Sequence, residues 1–174
     1  MPDLDCSMVP DNAIGELHRQ AEMCLQGTVQ LATALDQRAT ATSGIFGVGA
    51  LALFTAAAAM SGAAARPIVP FIVGAAVTAV LLFCGALFCA WAARSADFFV
   101  AGYEPRFLVK AASDEHWMLR YAVEDIQTRI DANRMAQEYS SRLFTWGMRV
   151  GLIAVPCGIA AFFMAVLFEL RLPF

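Results

Sequence analysis

Between residues 114 and 170 one stripe of positions recurs at alternating intervals of four and three. It runs Leu119, Val123, Ile126, Ile130, Asn133, Gln137, Ser140, Phe144, Gly147, Gly151, Ala154, Gly158, Ala161, Ala165, Phe168. Residues so spaced share one face of a helix, so the pattern predicts a single unbroken helix from Asp114 to Leu170. The stripe is aliphatic at its start, polar at Asn133, Gln137 and Ser140, and almost purely Gly and Ala beyond Phe144. The opposite face of the second half is bulky (Leu152, Ile153, Ile159, Phe162, Phe163, Val166, Leu167). Small on one face and large on the other is the pattern of a membrane helix that meets protein on the first and lipid on the second. At 1.5 Å per residue such a helix is roughly 85 Å long, far more than a bilayer requires.

A second stripe precedes it: Ile14, Leu17, Ala21, Cys24, Leu25, Thr28, Leu31, Leu35. This predicts an amphipathic helix with Asp11 or Asn12 as its cap and Glu16 in its first turn. Thr40 to Gly44 either interrupts it or marks the membrane boundary. Gly and Ala then dominate several faces (Gly44, Gly47, Gly49, Ala50, Ala52, Ala56 to Ala59, Gly62), which implies more than one neighbouring helix. A tight hairpin from Gly62 to Pro70 leads into a bulkier run, Phe71 to Trp91, expected to be the most lipid-exposed span, with Trp91 at the interfacial aromatic belt. That helix is expected to continue toward Ala101 and to break at Gly102-Tyr103-Glu104-Pro105.

Charge sharpens these boundaries. No charged residue falls in the 27 residues between Arg38 and Arg66, the 27 between Arg66 and Arg94, or the 19 between Arg149 and Glu169. About 20 apolar residues span a bilayer, so three transmembrane helices are expected, near 44–65, 68–93 and 147–169. The composition agrees: 59% hydrophobic residues, 16% charged and a mean hydropathy of +0.60. The chain divides into an N-terminal helical arm (1–43), a transmembrane hairpin (44–93), a loop and long helix (94–146), the third span (147–169) and a short tail (170–174). Ten of the twelve Lys and Arg residues lie in the arm and the long loop, which assigns both to the cytoplasm and the hairpin tip and tail to the outside. The expected fold class is therefore an all-α membrane protein, three transmembrane helices with long cytoplasmic helical extensions, assembled as a homo-oligomer.

No catalytic constellation stands out. His18 and His116 lack a nucleophile at helical spacing, and Asp114-Glu115 and Glu124-Asp125 are adjacent pairs whose carboxylates point apart on a helix. The five cysteines match no metal or redox spacing, and no phosphate loop is present. Neither a catalytic residue, a cofactor nor a metal site is expected. None of the three spans carries an ionisable group at membrane depth, which disfavours proton- or ion-coupled transport.

What remains is helix packing. The Gly/Ala stripe (Gly147, Gly151, Ala154, Gly158, Ala161, Ala165) serves either as a seam for close helix approach or as the lining of a narrow pore about a symmetry axis. In the pore reading Phe144 and Phe168 form constrictions, Asn133, Gln137 and Ser140 ring a polar vestibule, and Pro156 is a gating hinge. Arg106, Lys110 and Arg120 are candidates to gather as an anion site, although eight acids balance eight basic residues across 94–149.

A cytoplasmic arm, a tight two-span hairpin, a long amphipathic helix and a third span, with the Ile126–Asn133–Leu143 pattern leading into it, resemble small membrane effectors of bacterial anti-phage signalling systems. These are the SLATT-domain group and the Hailong membrane effector. The resemblance implies a homo-oligomer, a tetramer, in the bacterial inner membrane that disrupts membrane potential in response to a nucleotide or oligonucleotide signal. Two functions follow as expectations: a homo-oligomeric channel or pore-forming effector gated through its cytoplasmic helices, or a membrane anchor whose cytoplasmic helices recruit a partner.

Overall fold

A computed structural model describes Cys6 and residues 9–61, 69–94, 98–100, 102 and 115–171. These form three helices: α1 (Asp11–Ser61), α2 (Val69–Ala92) and α3 (Glu115–Arg171). No strand occurs among the described residues. Each helix is long and apolar enough to cross a membrane, the composition of a multi-pass membrane protein.

The long final helix is continuous, as the stripe predicts, and Pro156 sits exposed within it without ending it. Helix α1 is likewise unbroken through Thr40 to Gly44, so that stretch is no interruption. Helix α2 ends at Ala92 rather than near Ala101: Ala93 N bonds Cys89 O at 3.0 Å, Arg94 N bonds Trp91 O at 3.2 Å, and 98–100 are not helical. The expected break at Gly102 is visible in its φ of +104°, a conformation glycine alone adopts readily. The expected hairpin tip at 62–68 lies outside the described residues.

The chain forms two compact units, to each of which α1 and α3 contribute. One contains residues 1–35 and 95–139. Its core is a row of buried aliphatic side chains, Ile14 with Val123 and Leu25 with Ile126 and Ile130, flanked by Leu17, Leu119 and Ala21. Rising numbers on α1 meet rising numbers on α3, so here the two helices run in the same direction. The α1 stripe follows expectation at Ile14, Leu25 and Thr28 and departs from it at Cys24 and Leu31. Leu31 is exposed while Ala32 is buried, and Cys24 is exposed beside fully buried Leu25. The 3.6-residue helix drifts against a strict heptad, which displaces the buried face by one position.

The other unit contains residues 36–94 and 140–174 and holds the apolar windows. Its buried positions are almost all small: Ala39, Ala50, Ala57, Ala79, Ala86, Cys89, Ala92, Ala154 and Ala161. Bulky residues such as Ile45, Phe83, Leu152 and Phe163 point outward. Without water to expel, close approach between backbones is the main source of helix–helix attraction, and small residues permit it. One expectation is corrected here. Helix α2 is not the most exposed span; its apolar window has the largest buried share of the three, and that of α1 the smallest.

Candidate functional site

The Gly/Ala stripe of α3 is a seam within one chain. A Cβ placed on Gly147 would lie 3.0 Å from Gly85 O, 3.1 Å from Cys89 N and 2.6 Å from Cys89 Sγ. A Cβ on Gly158 would lie 2.9 Å from Gly74 O and would overlap Thr78 Oγ1. The contacts are reciprocal, since a Cβ on Gly85 or Gly74 would lie 3.0 Å from Gly147 O or Gly158 O. The antiparallel helices α2 and α3 thus touch backbone to backbone at two points, eleven residues apart on each. Between these crossings the Phe46 ring of α1 occupies the space over Gly151 and reaches Gly85. Polar groups along the seam are satisfied locally: Thr78 Oγ1 donates to Gly74 O at 2.9 Å, and Ser43 Oγ donates to Ala86 O at 3.0 Å. Both spare the bilayer an unpaired hydroxyl. Beside the Gly74–Gly158 crossing lies an apolar cavity of about 510 Å³, walled by Leu53, Met60, Phe71, Ile159 and Phe162.

This geometry favours the seam over the pore reading of the stripe. Gly147, Gly151, Ala154, Gly158 and Ala161 are buried against the chain's own helices, so they do not line an open axis. Ala165 is half-buried and Phe168 is exposed, which takes the last constriction candidate off the seam. Phe144 and Gln137 are half-buried and Ser140 is buried.

Asn133 is also placed differently from the vestibule reading. Its side chain is 2% exposed and grips one residue of the segment that follows α2. Phe99 N donates to Asn133 Oδ1 at 3.0 Å, and Asn133 Nδ2 donates to Phe99 O at 3.0 Å. The carboxamide acts as a short length of strand, supplying both the acceptor and the donor that an irregular backbone lacks. One helical turn earlier, Arg129 pairs with Asp125 at 2.8 Å and donates to Gly102 O at 3.4 Å.

The start of α3 holds the N-terminal segment in the same manner. Arg120 Nη2 donates to Val9 O at 2.9 Å and to Asp11 Oδ1 at 2.8 Å, and Cys6 N donates to Glu124 Oε1 at 3.4 Å. Cys6 itself is buried with Ile14 and Val123. Asp11, a candidate cap, is thereby turned toward Arg120. The expected anion cluster is corrected on this point, because Arg120 is neutralised within the chain; Arg106 and Lys110 lie outside the described residues. Arg120→Ala removes both bonds and is expected to cost about 1–3 kcal/mol. Faster amide exchange confined to residues 9–14 is the readout, and unchanged exchange there would contradict the latch.

Sequence reasoning missed the partners of these side chains: Phe99, Val9, and the Gly74, Thr78, Gly85 and Cys89 face of α2. For the last a signal existed, since Gly74 and Gly85 stand eleven apart like Gly147 and Gly158. Elsewhere on α3, Trp117 stacks on Tyr121 at 5.7 Å, and Met135 with Tyr139 is a second exposed pair on the face opposite the Val123–Ile130 core. No family model matches the chain, and comparison with curated proteins and with solved structures gives no match either.

Proposed function

We propose that the protein is a membrane-embedded, homo-oligomeric scaffold that presents paired helices of α1 and α3 on the cytoplasmic side of a bacterial inner membrane. The observation that carries this is the spent seam: its small face is satisfied inside one chain at Gly85–Gly147 and Gly74–Gly158, so each chain is a closed three-span unit. Association then falls to exposed apolar side chains, above all Met135 and Tyr139 on α3. Exposed apolar residues repeating along one helix face are what a partner helix requires. In detergent, light scattering should give a multiple of the 18.7 kDa chain mass, and Met135→Glu with Tyr139→Glu should reduce it to that mass while helicity is retained. A monomeric parent protein would defeat the proposal.

A channel formed between copies is the second reading. Gly44, Gly47, Leu51, Thr55 and Ala58 share one face of α1, small except at Leu51, and nothing lies within 4 Å of a Cβ on Gly44 or Gly47. A ring of copies lined by that face would leave room for ions with Leu51 as its constriction, and the resemblance to anti-phage membrane effectors supports the same conclusion, with a nucleotide as the cytoplasmic signal. Here Gly44→Leu alters ion flux from loaded liposomes with the oligomer intact. An intact oligomer in tight liposomes, under every nucleotide supplied, favours the scaffold.

A further inference from the structure

We propose that the arginine-bearing end of the three-span unit is a docking surface for anionic phospholipid headgroups. The proposal rests on the reading of α1, α2 and α3 as membrane spans.

Two cross-helix contacts bring the arginines to one end of this unit. Gly147 faces Cys89, so Arg149, two residues further along α3, and Arg94, five residues past Cys89, flank the same level. The Ser43 bond to Ala86 O brings the end of α1 there, and Arg38 lies five residues before Ser43. Arg142 stands at this end too and is already engaged. All four are exposed. Among the described residues no carboxylate forms an ion pair with Arg38, Arg94 or Arg149.

Charge is segregated accordingly. The stretches 1–35 and 95–139 hold thirteen acidic and six basic residues, whereas 36–94 and 140–174 hold two acidic and six basic. Of those two acids only Asp36 lies near the arginines in sequence, and it forms no ion pair with them among the described residues. At the opposite end Glu169 and Arg171 offset each other.

Two tryptophans identify the partner as a lipid surface rather than a soluble anion. Trp91 is 62% exposed and Trp146 is 57% exposed, and the Arg149 guanidinium lies 5.5 Å from the Trp146 ring centroid. Directly beyond them begins the outward apolar surface of Leu87, Phe88, Leu152 and Ile153. An indole at the junction of an apolar wall and exposed guanidinium groups fits the headgroup level of a bilayer, where its ring contacts acyl carbon and the cation meets phosphate. Arginine suits that phosphate because its planar fork can donate two hydrogen bonds at once.

The test uses the full chain, extracted from membranes with a neutral detergent. Short-chain phosphatidylglycerol, short-chain phosphatidylcholine and inorganic phosphate are titrated separately, with the unfolding temperature and bound lipid by native mass spectrometry as readouts. Phosphatidylglycerol should bind and raise the unfolding temperature, at least tenfold more tightly than phosphatidylcholine, and 0.5 M salt should weaken it. Inorganic phosphate should not substitute. Arg38→Gln, Arg94→Gln and Arg149→Gln combined should lose the preference while melting like the parent in detergent alone. The triple Lys variant should keep most of it and serves where the Gln variant fails to fold. Equal response to both lipids, or a Gln variant that keeps the preference, overturns the proposal. A chain recovered from the soluble fraction before any detergent overturns the membrane reading instead, so the two failures are distinguishable.

Discussion

Gly147→Ala and Gly158→Ala should each destabilise the three-span unit by about 1–3 kcal/mol, whereas Gly44→Ala should stabilise it by up to about 1 kcal/mol. The substitution is the same and all three sites are helical, so intrinsic propensity favours alanine at each. The sign is decided by what the new methyl meets. At Gly44 it meets nothing within 4 Å. At Gly147 it meets the Gly85 carbonyl and the Cys89 amide, and at Gly158 the Gly74 carbonyl and the Thr78 hydroxyl. Backbone atoms of a packed helix cannot swing aside, so α2 and α3 must separate and lose dispersion contacts along the seam. The neighbouring cavity offers no relief at Gly158, because the overlap occurs at Cβ before a longer side chain could turn into it. Leucine at either site should cost more than alanine. Unfolding in mixed micelles by increasing SDS, followed by circular dichroism, measures all of these. A common response at Gly44, Gly147 and Gly158 would mean that the seam is not where these helices touch.

The α3 stripe was legible because alternating spacings of three and four admit one helix face, and its buried members from Val123 to Ala161 follow that face closely. What the stripe faces was not legible. Glycine and alanine are equally suited to a close crossing within one chain, a crossing between chains and a narrow pore, so composition cannot choose among them. The choice rests on α2, where the bulk of Phe71, Phe83 and Trp91 concealed a thin face of Gly74, Thr78, Gly85 and Cys89. Hydropathy averages over faces, while packing depends on one of them. On α1, Leu31 fits the spacing of three and four, yet Leu31 is exposed and Ala32 beside it is buried. The clasps were hidden for another reason. Phe99 lies 34 residues from Asn133 and Val9 lies 111 from Arg120, in segments without periodicity, so no local pattern joins them.

Asn133→Ala should cost about 2–4 kcal/mol, with its effect concentrated on the segment after α2. The change removes both hydrogen bonds to Phe99 and leaves a partly buried amide and carbonyl without partners, and each orphaned group costs about 1–3 kcal/mol before water enters to relieve it. Aspartate separates the two bonds, being nearly isosteric with asparagine. A carboxylate still accepts from Phe99 N but opposes Phe99 O with a second acceptor, so Asn133→Asp should be at least as damaging at neutral pH. Protonation restores a donor, so the Asn133→Asp variant should regain stability as pH falls through the pKa of the new carboxyl group. The sign follows from linkage: repulsion from Phe99 O and burial both raise the folded-state pKa, so the native state binds the proton more tightly than the unfolded chain. The parent protein has no titrating group at this position and should show no such recovery. Amide exchange at residues 98–100 and proteolysis in the segment between α2 and α3 report the local opening, and the SDS unfolding curve reports the global cost. Had Asn133 instead faced a pore or a sister subunit, alanine there would change flux or oligomer mass and leave exchange at Phe99 untouched.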